Sequence, residues 1–164
     1  MVEEVSYIGA GLSGMDGKGR VTIPACLRET VEQSSGGERA VVIARHESLN
    51  CLVGFGRGER AKIREELDFE WRTAVAAGQP FDRDKRARDR VASMQEVNFE
   101  ASGRFVMPPM LRHFGRLNDK AFFFGNVWNF WIWDPAVLAA QGSDFAQQKE
   151  LLDYFLSQQD DKRK

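Results

Sequence analysis

Two short segments of this chain each carry a carboxylate and, four residues later, an arginine that directly follows a glycine. The first turn is Asp16–Arg20 (Asp-Gly-Lys-Gly-Arg) and the second turn is Glu100–Arg104 (Glu-Ala-Ser-Gly-Arg). An arginine displayed on a turn can donate two parallel hydrogen bonds to a guanine edge or to a phosphate. A lysine such as Lys18 suits phosphate as a mobile point charge. These side chains therefore offer the chemistry of nucleic-acid recognition.

The two turns belong to longer segments that repeat at an offset of 84 residues. Over residues 16–31 and 100–115, five of sixteen positions are identical, whereas ordinary composition gives roughly one match by chance. The identical pairs are Gly19/Gly103, Arg20/Arg104, Pro24/Pro108, Leu27/Leu111 and Arg28/Arg112. This similarity indicates an internal duplication.

Each repeat has the pattern of a turn, a strand, a proline and a short helix. Asp16-Gly17 favours a tight hairpin turn, and Gly19 supplies a second position that tolerates positive φ. Val21–Ile23 is a short β-branched strand, which Pro24 should end because proline has no N–H to donate to a ladder. Proline also suits the first turn of a helix, so a helix is predicted from Ala25 to Val31.

Apolar runs predict the other strands, and periodic segments predict the helices. The further strands are expected at 5–8, 40–44, 49–55, 94–99, 121–124 and 128–133. An amphipathic helix over 58–77 is predicted from apolar residues at every fourth position, namely Ile63, Leu67, Trp71 and Val75. A charged helix is predicted over 83–92, with Asp82 as its N-cap, and helical structure is expected after Pro135. The charged helix is typical of a solvated face, with a nucleic-acid role as the alternative.

The aromatic strand at Phe130–Trp133 is apolar on both sides. Trp131 and Trp133 should point to one face, and Phe130 and Ile132 to the other. Such a strand is buried on both faces, either within the chain or against a second copy. Trp128, Trp131 and Trp133 could also stack on bases, but a core or subunit-interface position is favoured.

Composition limits the classes of protein. The chain has 164 residues, enough for one domain or two small halves that share a core. Its net charge of −1 argues against a generally basic nucleic-acid-binding domain, although a local basic surface is compatible with it. Cys26 and Cys51 lack metal-type spacing, and the sequence has neither a signal-peptide pattern nor an apolar run of about 20 residues. A reduced, cytosolic protein without a membrane span is therefore expected.

The first motif resembles the MraZ family of bacterial transcription factors, within the wider AbrB-like group of swapped-hairpin DNA-binding folds. The residues that carry this resemblance are Asp-Gly-Lys-Gly-Arg at 16–20, the short strand, Pro24 and Leu-Arg-Glu at 27–29. The second motif repeats the Gly-Arg turn, the proline and the helix. It departs from the family at Glu100, where Asp is usual, and the shorter Asp caps a tight turn better.

The resemblance implies a fold and a division of the chain. The expected fold is β-rich α+β, in which two pseudo-symmetric AbrB-like swapped-hairpin halves form a small β-barrel with helices between and after them. The first half is expected at 9–56, a helical insert at 57–92, the second half at 93–136, and a C-terminal helix with a polar tail at 137–164.

The resemblance also implies a function. A sequence-specific transcriptional regulator of the division and cell-wall gene cluster is expected, which binds repeated promoter boxes in double-stranded DNA through the Asp-x-Lys-Gly-Arg hairpin. A homo-oligomeric ring in the cytoplasm, on the nucleoid, is expected, with no cofactor, metal, membrane or small-molecule substrate. Carried over by position, the DNA-binding residues are Asp16, Lys18, Gly19, Arg20, Gly103 and Arg104.

Other interpretations stand beside this one. Asp16 and Arg20 could form a simple surface salt bridge, which is worth roughly 0–1 kcal/mol. Asp16 and Glu100 could form a hydrolytic carboxylate pair, but the chain has no phosphate loop or Gly-x-Ser-x-Gly elbow and is predicted not to be an enzyme. An AbrB-like antitoxin, or another protein-interaction module without promoter specificity, is the alternative function. Arg28 and Arg112 are expected to pack over the barrel or to pair with a carboxylate.

Overall fold

The structure is a computed structural model that describes residues 4–163. The strands are β1 (Ala10–Gly14), β2 (Arg20–Thr22), β3 (Ala40–Arg45), β4 (Leu52–Phe55), β5 (Gln95–Asn98), β6 (Arg104–Val106), β7 (Lys120–Gly125) and β8 (Phe130–Trp133). The helices are α1 (Ala25–Ser34), α2 (Arg57–Ala61), α3 (Ile63–Ala76), α4 (Arg83–Val91), α5 (Pro109–Phe114), α6 (Pro135–Ala139) and α7 (Ala146–Arg163). Lys164, the last residue of the predicted polar tail, lies outside the described residues.

The strands form two separate antiparallel sheets. Six of them pair in the order β1-β7-β8-β4-β3-β5, and β2 pairs with β6 in a two-stranded ribbon, called here the motif ribbon. Most pairings join the two repeats: β1 with β7, β3 with β5, β4 with β8, and β2 with β6. The two repeats are therefore interlocked in a mixed α+β fold, and neither completes a sheet by itself.

The predicted small β-barrel is not found among the described residues. The ladder of the larger sheet ends at β1 on one side and at β5 on the other, so this sheet is open. The physical reason lies in β2 and β6, which have three residues each and are followed within two residues by Pro24 and Pro108. Such short strands pair with one another instead of closing the larger sheet. Helical residues also outnumber strand residues, which corrects the prediction of a β-rich chain.

The predicted hairpin around the first turn is also corrected. β1 and β2 flank the turn but enter different sheets, and a backbone bond from the Asp16 N–H to the Arg20 carbonyl (3.3 Å) closes the turn. The end of β1 stays with β7 instead, because the Met15 N–H donates to the Asp119 carbonyl at 2.7 Å. The first motif is therefore a turn between two sheets.

The helical insert differs from its prediction in one respect. The single helix predicted over 58–77 is interrupted at Lys62, whose N–H donates to the Glu59 carbonyl three residues earlier. This tighter turn separates α2 from α3. The Asp82 N-cap is confirmed, because its Oδ1 accepts the Lys85 N–H at 3.0 Å. Within residues 4–163, no helix is both long enough and apolar enough to cross a membrane.

The aromatic strand β8 is buried on both faces within the chain. Phe130 and Ile132 belong to the main core, whereas Trp133 packs with Phe122 and with Leu138 of α6 in a second cluster. The double burial therefore requires no second copy of the protein. Trp128 differs from Trp131 and Trp133, because it lies in the loop before β8 and is 77% exposed.

The two cysteines provide a chemical test of this packing. Cys51 is fully buried, which raises the pKa of its thiol to about 12, whereas Cys26 is exposed. At pH 8 only roughly one part in ten thousand of a thiol with that pKa is the reactive thiolate. We expect one thiol to react quickly with an aromatic disulfide reagent in the native protein, and two after denaturation. The fast phase should disappear in Cys26→Ser; two equally fast thiols in the native wild type would contradict the fold.

Candidate nucleic-acid interface

The motif ribbon presents both repeat arginines on one exposed face. In its antiparallel register Arg20 lies opposite Val106, and Thr22 lies opposite Arg104. These four side chains share one face because directly paired residues point the same way. Their two neighbours on the other face, Val21 and Phe105, are buried in the core. The arginines are diagonal neighbours, with Cα atoms about 7–8 Å apart by ordinary sheet geometry.

The two turns at the ends of the ribbon have matching backbone geometry. The Gly19 N–H donates to the Asp16 carbonyl at 3.0 Å, and the Gly103 N–H donates to the Glu100 carbonyl at 2.8 Å. Both glycines have positive φ, +84° and +90°, which side chains with a Cβ rarely adopt. The predicted role of Gly19 as a conformationally permissive position is therefore confirmed, and Gly103 repeats it.

Each turn is also bonded to the strand that comes from the other repeat. The Ile23 N–H donates to the Gly103 carbonyl at 2.9 Å, and the Met107 N–H donates to the Gly19 carbonyl at 2.8 Å. The same glycine therefore forms its own turn and holds the end of the opposite strand. This reciprocal arrangement fixes the position of each arginine relative to the other turn.

Arg28 and Arg112 reinforce this exchange, in a way the sequence interpretation missed. The Arg28 Nη1 donates to the Ala101 carbonyl (3.4 Å) in the second turn, and the Arg112 Nη1 donates to the Gly17 carbonyl (3.2 Å) in the first. Each guanidinium also donates to a carbonyl of its own repeat. They therefore bind backbone oxygens, and the pairing with a carboxylate, one of the two expected alternatives, is not found within residues 4–163. Their identical spacing in both repeats was the signal for a shared structural role.

The side chain of Asp16 holds the first turn and its arginine together. Its Oδ1 accepts the backbone N–H groups of Lys18 (3.0 Å) and Arg20 (2.9 Å), and its Oδ2 accepts the Arg20 Nε at 2.5 Å. The Arg20 N–H, aided by the guanidinium, holds the pKa of this carboxyl below its usual range. The salt bridge considered as an alternative is therefore present, and it leaves both terminal nitrogens of Arg20 free of intramolecular bonds within residues 4–163.

The second turn lacks this side-chain arrangement. Glu100 makes no side-chain hydrogen bond within residues 4–163, and Arg104 forms no salt bridge with any carboxylate in that range. Ser102 takes the position that corresponds to Lys18. The repeats therefore share a backbone but differ in what holds their arginines.

The surface around the ribbon is shallow and charged. A concavity of about 460 Å³ is lined by both arginines together with Asp16, Thr22 and Asp119. The six residues expected to bind DNA occupy two sites: Asp16, Lys18, Gly19 and Arg20 form one end of the ribbon, and Gly103 and Arg104 begin the other. Gly19 and Gly103 are buried, so they act through the backbone. Among the six, Arg20, Arg104 and Lys18 are the exposed cations.

The geometry disfavours two of the other interpretations. The antiparallel register puts Asp16 and Glu100 at opposite ends of the ribbon, which excludes a shared carboxylate site between them. In residues 4–163 no three His, Cys, Asp or Glu side chains are grouped as a possible metal site.

The basic charge of α4 is largely compensated, because Arg86 pairs with Glu47 and Glu70, and other basic residues of α4 also have carboxylate partners. That helix therefore has the character of a solvated face.

Comparison with known proteins found relatives along almost the whole chain. A protein of Shewanella amazonensis named "Transcriptional regulator MraZ" is 29% identical over 159 residues, which cover 92% of this chain and 99% of the relative. Proteins of the same name from Pseudomonas syringae pv. tomato and Cupriavidus pinatubonensis are 28% and 29% identical, over 92% and 82% of this chain. No family model matches the chain.

The turn glycines generate a stability prediction. A Cβ on Gly103 would lie 2.7 Å from the Ile23 carbonyl, and one on Gly19 would lie 3.1 Å from the Met107 carbonyl, both at positive φ. We expect Gly103→Ala to lower the free energy of unfolding by about 1–3 kcal/mol, and Gly19→Ala by less. Gly17→Ala is the control, since a Cβ there meets no atom of residues 4–163 within 4 Å and the second turn already has Ala101.

Urea unfolding followed by tryptophan fluorescence measures all three variants. The Gly17→Ala variant should stay within about 0.5 kcal/mol of wild type, as surface substitutions usually do. Equal stability of Gly103→Ala and Gly17→Ala would show that the turn geometry described above is wrong.

Proposed function

Since this chain belongs to the MraZ family of transcriptional regulators, we propose that it binds specific double-stranded DNA through the exposed face of the motif ribbon. The observation that carries the proposal is the placement of Arg20 and Arg104 on one exposed face of a two-stranded ribbon. The major groove of B-DNA, about 12 Å wide, accepts such a ribbon. The buried face of the ribbon packs on the core, so the exposed face is the one available to a partner.

The chemistry of this face suits DNA. An arginine whose terminal nitrogens are free can donate two bonds to the O6 and N7 atoms of guanine. Thr22 and Val106 lie beside the arginines and offer methyl groups to thymine. Lys18 is exposed on the turn and would bind a phosphate beside the groove as a mobile point charge. These groups act by binding, so the proposed role is regulation and not catalysis.

The target and the cellular place are part of the same proposal. The DNA is a set of repeated promoter boxes upstream of the division and cell-wall gene cluster, as the family resemblance implies. The protein would act in the cytoplasm, on the nucleoid. One ribbon offers few cations and should bind weakly, whereas several subunits on neighbouring boxes would increase the effective concentration of each.

Self-association completes the proposal, but β8 no longer supports it, because that strand is covered within its own chain. The support comes instead from α3, where Phe69 is 67% exposed and Val75 is 63% exposed. Exposed apolar side chains on this helix are available for contact with another copy. We therefore include a homo-oligomer, in the form of a ring, in the proposed function.

DNA binding is tested by fluorescence anisotropy with labelled duplex DNA from upstream of this gene and with a scrambled duplex. We expect wild type to prefer the native sequence and Arg20→Ala to bind it about 5- to 150-fold more weakly, as the loss of one bidentate arginine–guanine pair predicts. Arg88→Ala is the matched control, because it removes the same charge from an exposed position of α4. It should stay within about twofold of wild type.

Two results would contradict the DNA-binding proposal. One is equal affinity of wild type for native and scrambled DNA, which would favour the protein-interaction module. The other is an equal loss in Arg20→Ala and Arg88→Ala, which would indicate attraction by total charge alone.

Self-association is tested by sedimentation velocity at micromolar concentration. The monomer has a mass of 18.6 kDa, and we expect wild type to sediment as a species several times heavier. A double variant, Phe69→Ser with Val75→Ser, should shift the distribution toward the monomer, because burial of each side chain contributes about 1.5–3 kcal/mol. A purely monomeric wild type would overturn the ring.

A further inference from the structure

The motif ribbon has two ends with the same backbone and different side-chain chemistry. At the first end, the Arg20 Nε bonds to the Asp16 Oδ2 at 2.5 Å, and the Asp16 Oδ1 is in turn held by two backbone N–H groups. The carboxylate therefore cannot swing away without losing these bonds. It fixes the plane of the guanidinium and leaves Nη1 and Nη2 unused by any intramolecular bond within residues 4–163.

A guanidinium held in this way suits a base edge better than a phosphate. Two parallel bonds to guanine require a defined plane and direction, and fixing them before binding removes the entropic cost of immobilising the side chain. The Asp16 carboxylate also offsets the positive charge of Arg20, which weakens the attraction to phosphate at every DNA sequence alike.

The second end has the opposite properties. Glu100 is one methylene longer than Asp16 and makes no side-chain hydrogen bond within the described part of the chain, so Arg104 keeps its rotamer freedom and its full charge. Arg39 at the second end takes the position that Asp119 takes at the first end. The Asp119 carbonyl accepts the N–H of Met15, just before the first turn, and the Arg39 carbonyl accepts the N–H of Phe99, just before the second. Arg39 contacts Glu32 only at 3.7 Å. Arg104 therefore has no carboxylate partner within residues 4–163, and such a cation suits a phosphate, whose recognition tolerates varied geometry.

We propose that the two ends of the ribbon have different tasks: Arg20, positioned by Asp16, recognises a guanine edge, and Arg104 binds backbone phosphate. This inference rests on the proposed DNA-binding function and adds a division of labour between its two arginines. Sequence information is then confined to the DNA under the Arg20 end, and the Arg104 end supplies affinity without selectivity.

Two substitutions of Asp16 test its role in positioning Arg20. Asp16→Glu gives the first turn the side chain of the second, and Asp16→Asn keeps the oxygen that caps the turn but removes the charge that holds the Arg20 Nε. In both, we expect the ratio of affinities for native and scrambled DNA to fall about tenfold, as the loss of one oriented bidentate pair predicts. Affinity for scrambled DNA should hold or rise.

Substitutions of the arginines test the division directly. Arg104→Ala should weaken binding to native and scrambled DNA alike, and lower the slope of log affinity against log salt by about one, as expected for a lost phosphate contact. Arg104→Lys should bind within about threefold of wild type, because a lysine also serves phosphate. Arg20→Lys should lose selectivity, since lysine cannot form the planar fork. Glu100→Asp should reduce the salt slope, because the shorter carboxylate can hold Arg104.

Each outcome decides between two proposals. If wild type shows no preference for native DNA, both the proposed function and the division of labour are overturned. If wild type is selective but Arg104→Ala reduces the affinity ratio as much as Arg20→Ala, or Asp16→Asn leaves the ratio unchanged, only the division of labour is overturned. Far-UV circular dichroism and urea midpoints equal to wild type show that each change acts on binding and not on folding.

Discussion

The arrangement of the whole ribbon depends on a pair of reciprocal backbone hydrogen bonds. The carbonyl of each turn glycine, Gly19 or Gly103, accepts an N–H from the strand of the other repeat. Each bond is worth only about 0.5–1.5 kcal/mol by itself. Together they join the two turns to opposite ends of one two-stranded unit, so that neither turn can move without disturbing the other. A duplicated segment becomes one surface instead of two independent hairpins.

This constraint explains why the glycines and the helix arginines occur twice. Positive φ lets each glycine direct its N–H into its own turn and its carbonyl toward the other strand. Arg28 and Arg112 then bind the outer carbonyls of the turn from the other repeat, which fixes α1 and α5 against the ribbon. The exposed arginines consequently stand on a rigid base, as a binding group that requires orientation needs.

The larger sheet gives this surface its support. β8 lies between β7 and β4, and its aromatic side chains fill the core on one face and the space beneath α6 and α7 on the other. Burial of each large aromatic side chain contributes about 1.5–3 kcal/mol. The larger sheet therefore supplies most of the strand packing, since the motif ribbon has only six strand residues. The helical insert packs against the same core, because Ile63 of α3 is buried in it, whereas Phe69 and Val75 on other sides of α3 remain exposed.

The local features of this protein are predictable from its amino-acid sequence, because turns, caps and prolines act over a few residues. It predicted both turns, the strand ends near Pro24 and Pro108, the Asp82 cap and the double burial of β8. The pairing of the strands is visible only in the folded chain, because an antiparallel partner 84 residues away, as in the motif ribbon, leaves no trace in local periodicity. The open sheet and the bonds of Arg28 and Arg112 follow from that pairing. Asp16 binds its arginine and Glu100 does not, and this difference can be seen only from the atomic positions. The two side chains differ by one methylene, which decides whether the carboxylate bonds to the arginine of its own turn.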